Sequence, residues 1–156
     1  MCNPRRRFLA DAALAGLALS PLATLLAACG RAEPADGPVA IRWDRDSCTR
    51  CGMVISDRRF AAQLRGGPKD AAVKFDDIGC AVTWLNAQAW GGDAATRIWV
   101  ADSADAGAPR WLDARAARYA NGKTSPMAYN FAAVAATAAG DLDFAAMRQF
   151  ALNRQG

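Results

Sequence analysis

Ala72-Val73-Lys74-Phe75-Asp76-Asp77-Ile78-Gly79-Cys80 is the stretch on which the fold turns. Residues 72–76 alternate apolar and polar side chains closely enough for a strand. Asp77 stands where a helix N-cap belongs, and Ile78, Val82 and Leu85 follow at near-helical spacing. Gly91-Gly92 marks the end of this unit. Upstream, Phe60–Leu64 reads as a second strand, and Gly66-Gly67-Pro68-Lys69-Asp70 as the turn joining the two. Ile41-Arg42-Trp43 reads as a brief strand or an extended lead-in. The first half is therefore strand, strand, helix.

The second half repeats this rhythm loosely. Arg97–Asp102 reads as a strand, Ser103–Pro109 as a turn, and Trp111–Ala114 as a strand. Arg115–Ala120 reads as one or two helical turns, stopped by Asn121-Gly122. Thr124-Ser125-Pro126-Met127 is a loop, Tyr129–Val134 a strand, Gly140-Asp141 a turn, and Phe144–Leu152 a C-terminal helix. The expected fold class is α+β, in two approximate halves, 41–92 and 93–156. The likeness between the halves is too weak to establish a duplication.

The chain has 156 residues, enough for one domain or two very small ones, and 53% of them are hydrophobic. Much of that fraction is alanine, so the five tryptophans and six phenylalanines carry much of the burial. The formal charge is +4, of which Arg5, Arg6, Arg7 and Asp11 near the N-terminus account for +2. A remainder of this size, with no basic run interleaved with aromatics, argues against a nucleic-acid partner.

The chemistry concentrates in Asp46-Ser47-Cys48-Thr49-Arg50-Cys51-Gly52-Met53-Val54-Ile55. Two thiols and a thioether lie within six residues of a chain that has no histidine. Sulfur donors without imidazole select soft ions, Cu(I) first, then Hg(II) or Zn(II). An extended backbone would point Cys51 and Met53 to one face. Gly52 leaves room for close approach, and Cys48 could reach the same point through a turn. The competing reading is a Cys-x-x-Cys disulfide with Met53 opening a core strand. Cys80, in the first turn of the predicted helix, is either a thiolate favoured by the helix dipole or a small core residue. Met127, in a polar loop after Ser125-Pro126, is a candidate third soft ligand. Met147 lies in a helical apolar pattern and reads as core.

Residues 1–28 read as an export signal. Arg5-Arg6-Arg7 gives a positive start, and Phe8–Ala28 is almost wholly apolar. Leu26-Ala27-Ala28-Cys29-Gly30 then resembles a bacterial lipoprotein processing site, with Cys29 lipidated as the new N-terminus. An uncleaved membrane helix is the rival reading, disfavoured by Pro21 and the small residues at the end. Arg5 and Arg6, followed by Phe8-Leu9, also look like a twin-arginine signal. Residues 29–40 form the lipidated N-terminus and tether, and 41–156 the folded domain. Cys48, Cys51 and Cys80 remain, an odd number in an oxidising compartment, so at least one must be free, metal-bound or paired outside the chain.

Together these features resemble the NosL family, the accessory lipoproteins of nitrous-oxide reductase. The resemblance rests on the lipoprotein site at Cys29, on Cys48-x-x-Cys51-Gly52-Met53-x-Ile55, on Phe75-Asp76-Asp77-Ile78-Gly79-Cys80, and on Ser125-Pro126-Met127. It implies a tandem ββα fold, similar to that of organomercurial lyase. It also implies a Cu(I) chaperone on the periplasmic face of a bacterial membrane, the outer membrane rather than the inner, held by lipid at Cys29. The implied partners are a copper-receiving reductase or its membrane transporter complex. The family's Cys-x-Met pair falls on Cys51 and Met53, and its later methionine on Met127, with Cys48 and Cys80 as additional sulfurs. An accessory protein rather than an enzyme is expected. The rivals are a thiol–disulfide exchanger or an organomercurial-lyase-like enzyme using Cys48, Cys51 and Cys80, and a structural zinc domain. The zinc reading lacks an obvious fourth ligand unless Asp76 or Asp77 supplies it.

Overall fold

A computed structural model describes residues 34–136, 138 and 141–154. The export signal, Arg5, Arg6 and Cys29 lie outside the described residues. Among those described, no helix is long and apolar enough to cross a membrane.

The fold is α+β. Strands β1 (Ala62–Gly66) and β2 (Ala71–Phe75) form a hairpin that leads into helix α1 (Ile78–Asn86). Strands β3 (Arg97–Ala101), β4 (Trp111–Asp113), β5 (Arg118–Asn121) and β6 (Phe131–Val134) follow, and then helix α2 (Phe144–Asn153). The main sheet is antiparallel, in the order β2-β1-β3-β4. The pairing of Leu64 with Ile98 in β1 and β3 joins the two halves of the sequence in one sheet. β5 and β6 form a separate two-stranded sheet.

The first strand, strand, helix unit is as the sequence predicts. Asp77 caps α1, its side chain accepting from the Gly79 N–H at 2.9 Å. Ile78, Cys80, Ala81, Val82 and Leu85 of α1 pack with Leu64 and Phe75 into the core. Trp84 lies between Phe75 and Trp90, tilted to the first and edge-on to the second, with ring centroids 5.7 and 5.8 Å away. The buried Gln63 amide exchanges two hydrogen bonds with the Val39 backbone, at 2.9 and 3.0 Å, and so fastens the N-terminal segment to β1. Ile41 and Arg42 belong to no strand or helix, and the chain enters a turn at Trp43.

The second half departs from expectation at Arg115–Ala120. In place of the predicted helical turns there is a single turn over residues 114–116, and the chain becomes strand β5 from Arg118. Tyr119 decides this. Its fully buried ring donates from its hydroxyl to the Ala114 carbonyl at 2.7 Å, and its backbone N–H donates to Leu142 at 2.9 Å. The near contact to Ala114, the distant one to Leu142 and the β6 ladder together outweigh the helix preference of the alanines. Four strands, β3 to β6, therefore precede α2 in the second half, and α2 is capped by Asp143 and buries Met147 and Ala151.

Candidate metal centre

The Cys48–Met53 loop folds back on itself. The Cys48 N–H donates to the Met53 carbonyl at 2.7 Å, and the Gly52 N–H to the Cys48 carbonyl at 2.9 Å. Gly52 has φ +77°, a left-handed conformation that glycine adopts without strain. The backbone between Cys51 and Met53 is thus a tight turn, not the extended segment expected from the sequence. The loop is fixed to the edge of the main sheet by Thr49, whose N–H donates to the Lys74 carbonyl of β2 at 2.9 Å. Beneath it, the buried Asp46 carboxylate accepts from Lys74 Nζ at 2.7 Å and Arg42 Nε at 2.8 Å. Burial opposes ionisation of Asp46, but the hydrogen bonds from Lys74 and Arg42 and the Lys74 charge prevail and hold its carboxyl at about 2.

This anchoring lays the loop against the start of α1. The Sγ atoms of Cys48, Cys51 and Cys80 and a carboxylate oxygen of Asp76 all lie within 4.8 Å of one another. Cys51 Sγ is 3.6 Å from each Asp76 oxygen. Cys48 and Cys80 are buried and Cys51 is partly exposed, so Cys51 is where this group meets solvent. No disulfide joins the three thiols.

The four groups divide their protons unequally. Cys48 is the thiolate of the group. The Cys80 thiol donates to it, burial works against the charge, and the N–H groups of Cys51 and Asp76 together with the Asp76 side chain add further hydrogen bonds that lower its pKa. Donating to Cys48 and burial drive Cys80 strongly upward. The sequence left Cys80 as either a dipole-stabilised thiolate or a core residue. It is a buried thiol, and the charge rests on Cys48. Burial, together with the neighbouring Cys48 and Asp76, raises Cys51 to about 11. Burial, followed by the contact with Cys48, raises Asp76 to about 7.

Adjacent carboxylates at the β2–α1 junction serve different loops. Asp76 faces the sulfurs. Asp77 accepts from Ser125 Oγ at 2.6 Å and from the Met127 N–H at 3.4 Å. Ser125 and Asn130 bond reciprocally, at 3.2 and 2.9 Å, and close the Met127 loop. Arg154 at the end of α2 donates to the carbonyls of Ala128 and Tyr129. Met127 and Tyr129 line a depression of about 540 Å³ with Arg50 and Arg154. Arg50 also reaches toward the cluster, its guanidinium 3.9 Å from Cys80 Sγ.

The three cysteines singled out in the sequence therefore converge. Met53 is on the outer side of the loop, 48% exposed beside the equally open Val54. Met127 is partly buried at the depression that it shares with Arg50. Sequence reading gave Asp76 only a minor part, assigned no role to Arg50 or Arg154, and quoted Ser125 only as part of the Ser125-Pro126-Met127 motif, without its bond to Asp77. Asp76 had one usable signal. It stands between a strand and the residue that caps a helix, so the two carboxylates must diverge.

A comparison with curated proteins gave no match. The family model described as NosL matches residues 38–148. That span takes in the folded loop, all three clustered cysteines, both carboxylates and the Met127 loop, and the chain belongs to the NosL family.

Proposed function

We propose that the protein is a lipid-anchored Cu(I) carrier outside the cytoplasm. It would supply copper for the maturation of nitrous-oxide reductase or a related copper enzyme. The observation that carries this reading is the convergence of three cysteine sulfurs within 4.8 Å in a chain with no histidine. Membership of a family of accessory copper-binding proteins supports it. Soft, closely spaced sulfurs suit Cu(I), which accepts low coordination numbers and prefers thiolate and thioether donors.

In this reading Cys51, the thiol that meets solvent, anchors the incoming ion. Met53 on the exposed turn and Met127 at the depression that it shares with Arg50 supply neutral thioethers that hold copper without adding charge. Cys48 and Cys80 are the inner sulfurs to which the ion can pass. Cys29 would carry the lipid, placing the domain on the periplasmic face of the membrane. The receiving partner would be the reductase or its membrane transporter complex. Disulfide exchange fits the arrangement less well. Exchange needs an accessible thiol of low pKa, whereas here the low-pKa sulfur, Cys48, is buried and the accessible one, Cys51, is raised.

The test is a Cu(I) titration of the fully reduced protein against a chromogenic chelator, with Cys51→Ser, Met53→Ala and Met127→Ala alongside. One tight equivalent, abolished by the cysteine change and weakened by each methionine change, is the expected result. Failure of the wild type to compete with the chelator refutes the carrier reading. Unchanged affinity in Cys51→Ser removes Cys51 from the site.

A further inference from the structure

Asp76 is out of place in a pocket built only for Cu(I). Its residue is 1% exposed, and its hydrogen-bonding neighbours include all three cysteine sulfurs. Burying a carboxylate among thiols is costly unless something compensates it. Cu(I) gains little from a hard oxygen donor, because it is satisfied by two or three sulfurs. A borderline divalent ion, by contrast, takes four donors and accepts mixed sulfur and oxygen ligation.

We infer that Asp76 completes, with Cys48, Cys51 and Cys80, a four-coordinate site for a divalent thiophilic ion of the Zn(II) and Cd(II) class. This rests on the reading that the cysteine cluster is the metal centre. It adds a second occupant that uses a ligand copper does not need.

The distances fit. Zn–S bonds of about 2.3 Å and Zn–O bonds of about 2.0–2.2 Å in a tetrahedron place sulfurs about 3.8 Å apart and sulfur about 3.6 Å from oxygen. Cys51 Sγ is 3.6 Å from either Asp76 oxygen. The widest separation in the group is 4.8 Å, so the largest contraction needed is about 1 Å. The donors also come from parts of the fold that hold their positions. Asp76 directly follows β2 and precedes the cap of α1, Cys80 lies in the first turn of that helix, and the cysteine loop is bonded to β2 at Thr49. The charge is appropriate too, since a divalent cation offsets thiolates and a carboxylate that otherwise repel one another. The two occupants would compete for the same sulfurs, so a divalent ion in this site would slow copper loading.

The test uses the reduced full chain in detergent micelles, with Co(II) as a spectroscopic stand-in for Zn(II). Wild type should bind one Co(II) with tetrahedral d–d bands and a sulfur-to-cobalt charge-transfer band, and Zn(II) should displace it. Asp76→Asn should lose at least about tenfold more affinity for Co(II) and Zn(II) than for Cu(I). Asp76→Cys, which offers a fourth sulfur, should keep the tetrahedral spectrum with a stronger charge-transfer band, and it guards against mistaking a folding defect for a lost ligand. Absence of a tetrahedral Co(II) spectrum in a wild type that still takes up Cu(I) overturns the inference and leaves the carrier reading standing. Equal losses for both ions in Asp76→Asn, or none, also overturn it. Failure of the wild type to bind either ion removes the metal centre and this inference together.

Discussion

Gly79→Ala sets two opposing effects against each other. Alanine is the better helix former, by about 1 kcal/mol in a helix interior, so helix propensity alone predicts a gain. Packing predicts the reverse. A Cβ on Gly79 would lie 2.0 Å from Tyr129 Cγ and 2.3 Å from both Cδ atoms. The ring would have to retreat by more than about 1 Å to restore van der Waals contact near 3.5 Å. It has little freedom to do so. Tyr129 is 4% exposed, its carbonyl accepts from Arg154, and its neighbours Ala128 and Asn130 already have φ of 58° and 65°. Overpacking of this kind costs about 3 kcal/mol at the upper end of its usual range, leaving a net loss of about 2 kcal/mol once propensity is credited. With a urea dependence of about 2 kcal/mol/M for a domain of this size, the unfolding midpoint should fall by about 1 M. In a Tyr129→Ala background the same substitution should be neutral or stabilising, which a double-mutant cycle resolves. A midpoint that is unchanged or raised by Gly79→Ala alone would refute the reasoning.

Two further predictions concern ionisable groups. Asp46, held at about 2 against an ordinary 3.8, contributes stability that is present above its unfolded value and is lost as the pH falls from about 4 to about 2. The contribution at neutral pH is at most about 2 kcal/mol, because Arg42 is largely exposed. Urea titrations of wild type and Asp46→Asn should therefore differ at pH 7 and converge by pH 2, and a constant difference would disprove the assignment. Cys51, raised to about 11, should alkylate slowly at neutral pH and faster as the pH climbs toward 11, because only the thiolate reacts. Mass-resolved labelling at Cys51 as fast as that of an ordinary free thiol at pH 7 would contradict this.

Where a local signal sufficed, the fold was legible in the sequence. The alternating run into Phe75, the cap at Asp77 and the apolar spacing of Ile78, Val82 and Leu85 led directly to β2 and α1. Strand β5 was not legible. Its alanine-rich approach favours helix, and what overrides it, the pairing of Tyr119 with Leu142, spans a long stretch of chain. The site divided in the same way. Three cysteines could be picked out by type and spacing, but their convergence depends on the Thr49–Lys74 bond and the capped start of α1. Their protonation could not be read at all. The helix-dipole argument favoured charge on Cys80, whereas hydrogen bonds from several segments place it on Cys48. Gly52 shows the same limit at one residue. A glycine between Cys51 and Met53 is compatible with an extended strand, and only the fold sets its φ at +77°.

The divergence of Asp76 and Asp77 has a consequence for biosynthesis. The inner contacts of Asp76 reach back 25 residues to Cys51, while Asp77 reaches forward 48 residues to Ser125. A growing chain therefore holds all the donors of the sulfur nest once Cys80 has been made. The Met127 loop can be clasped only after Ser125 follows. During that interval the three cysteines and Met53 are present without the Met127 loop, and a chain that met metal then would meet an incomplete fold. Copper delivered after the chain is complete would find both loops pinned to one junction.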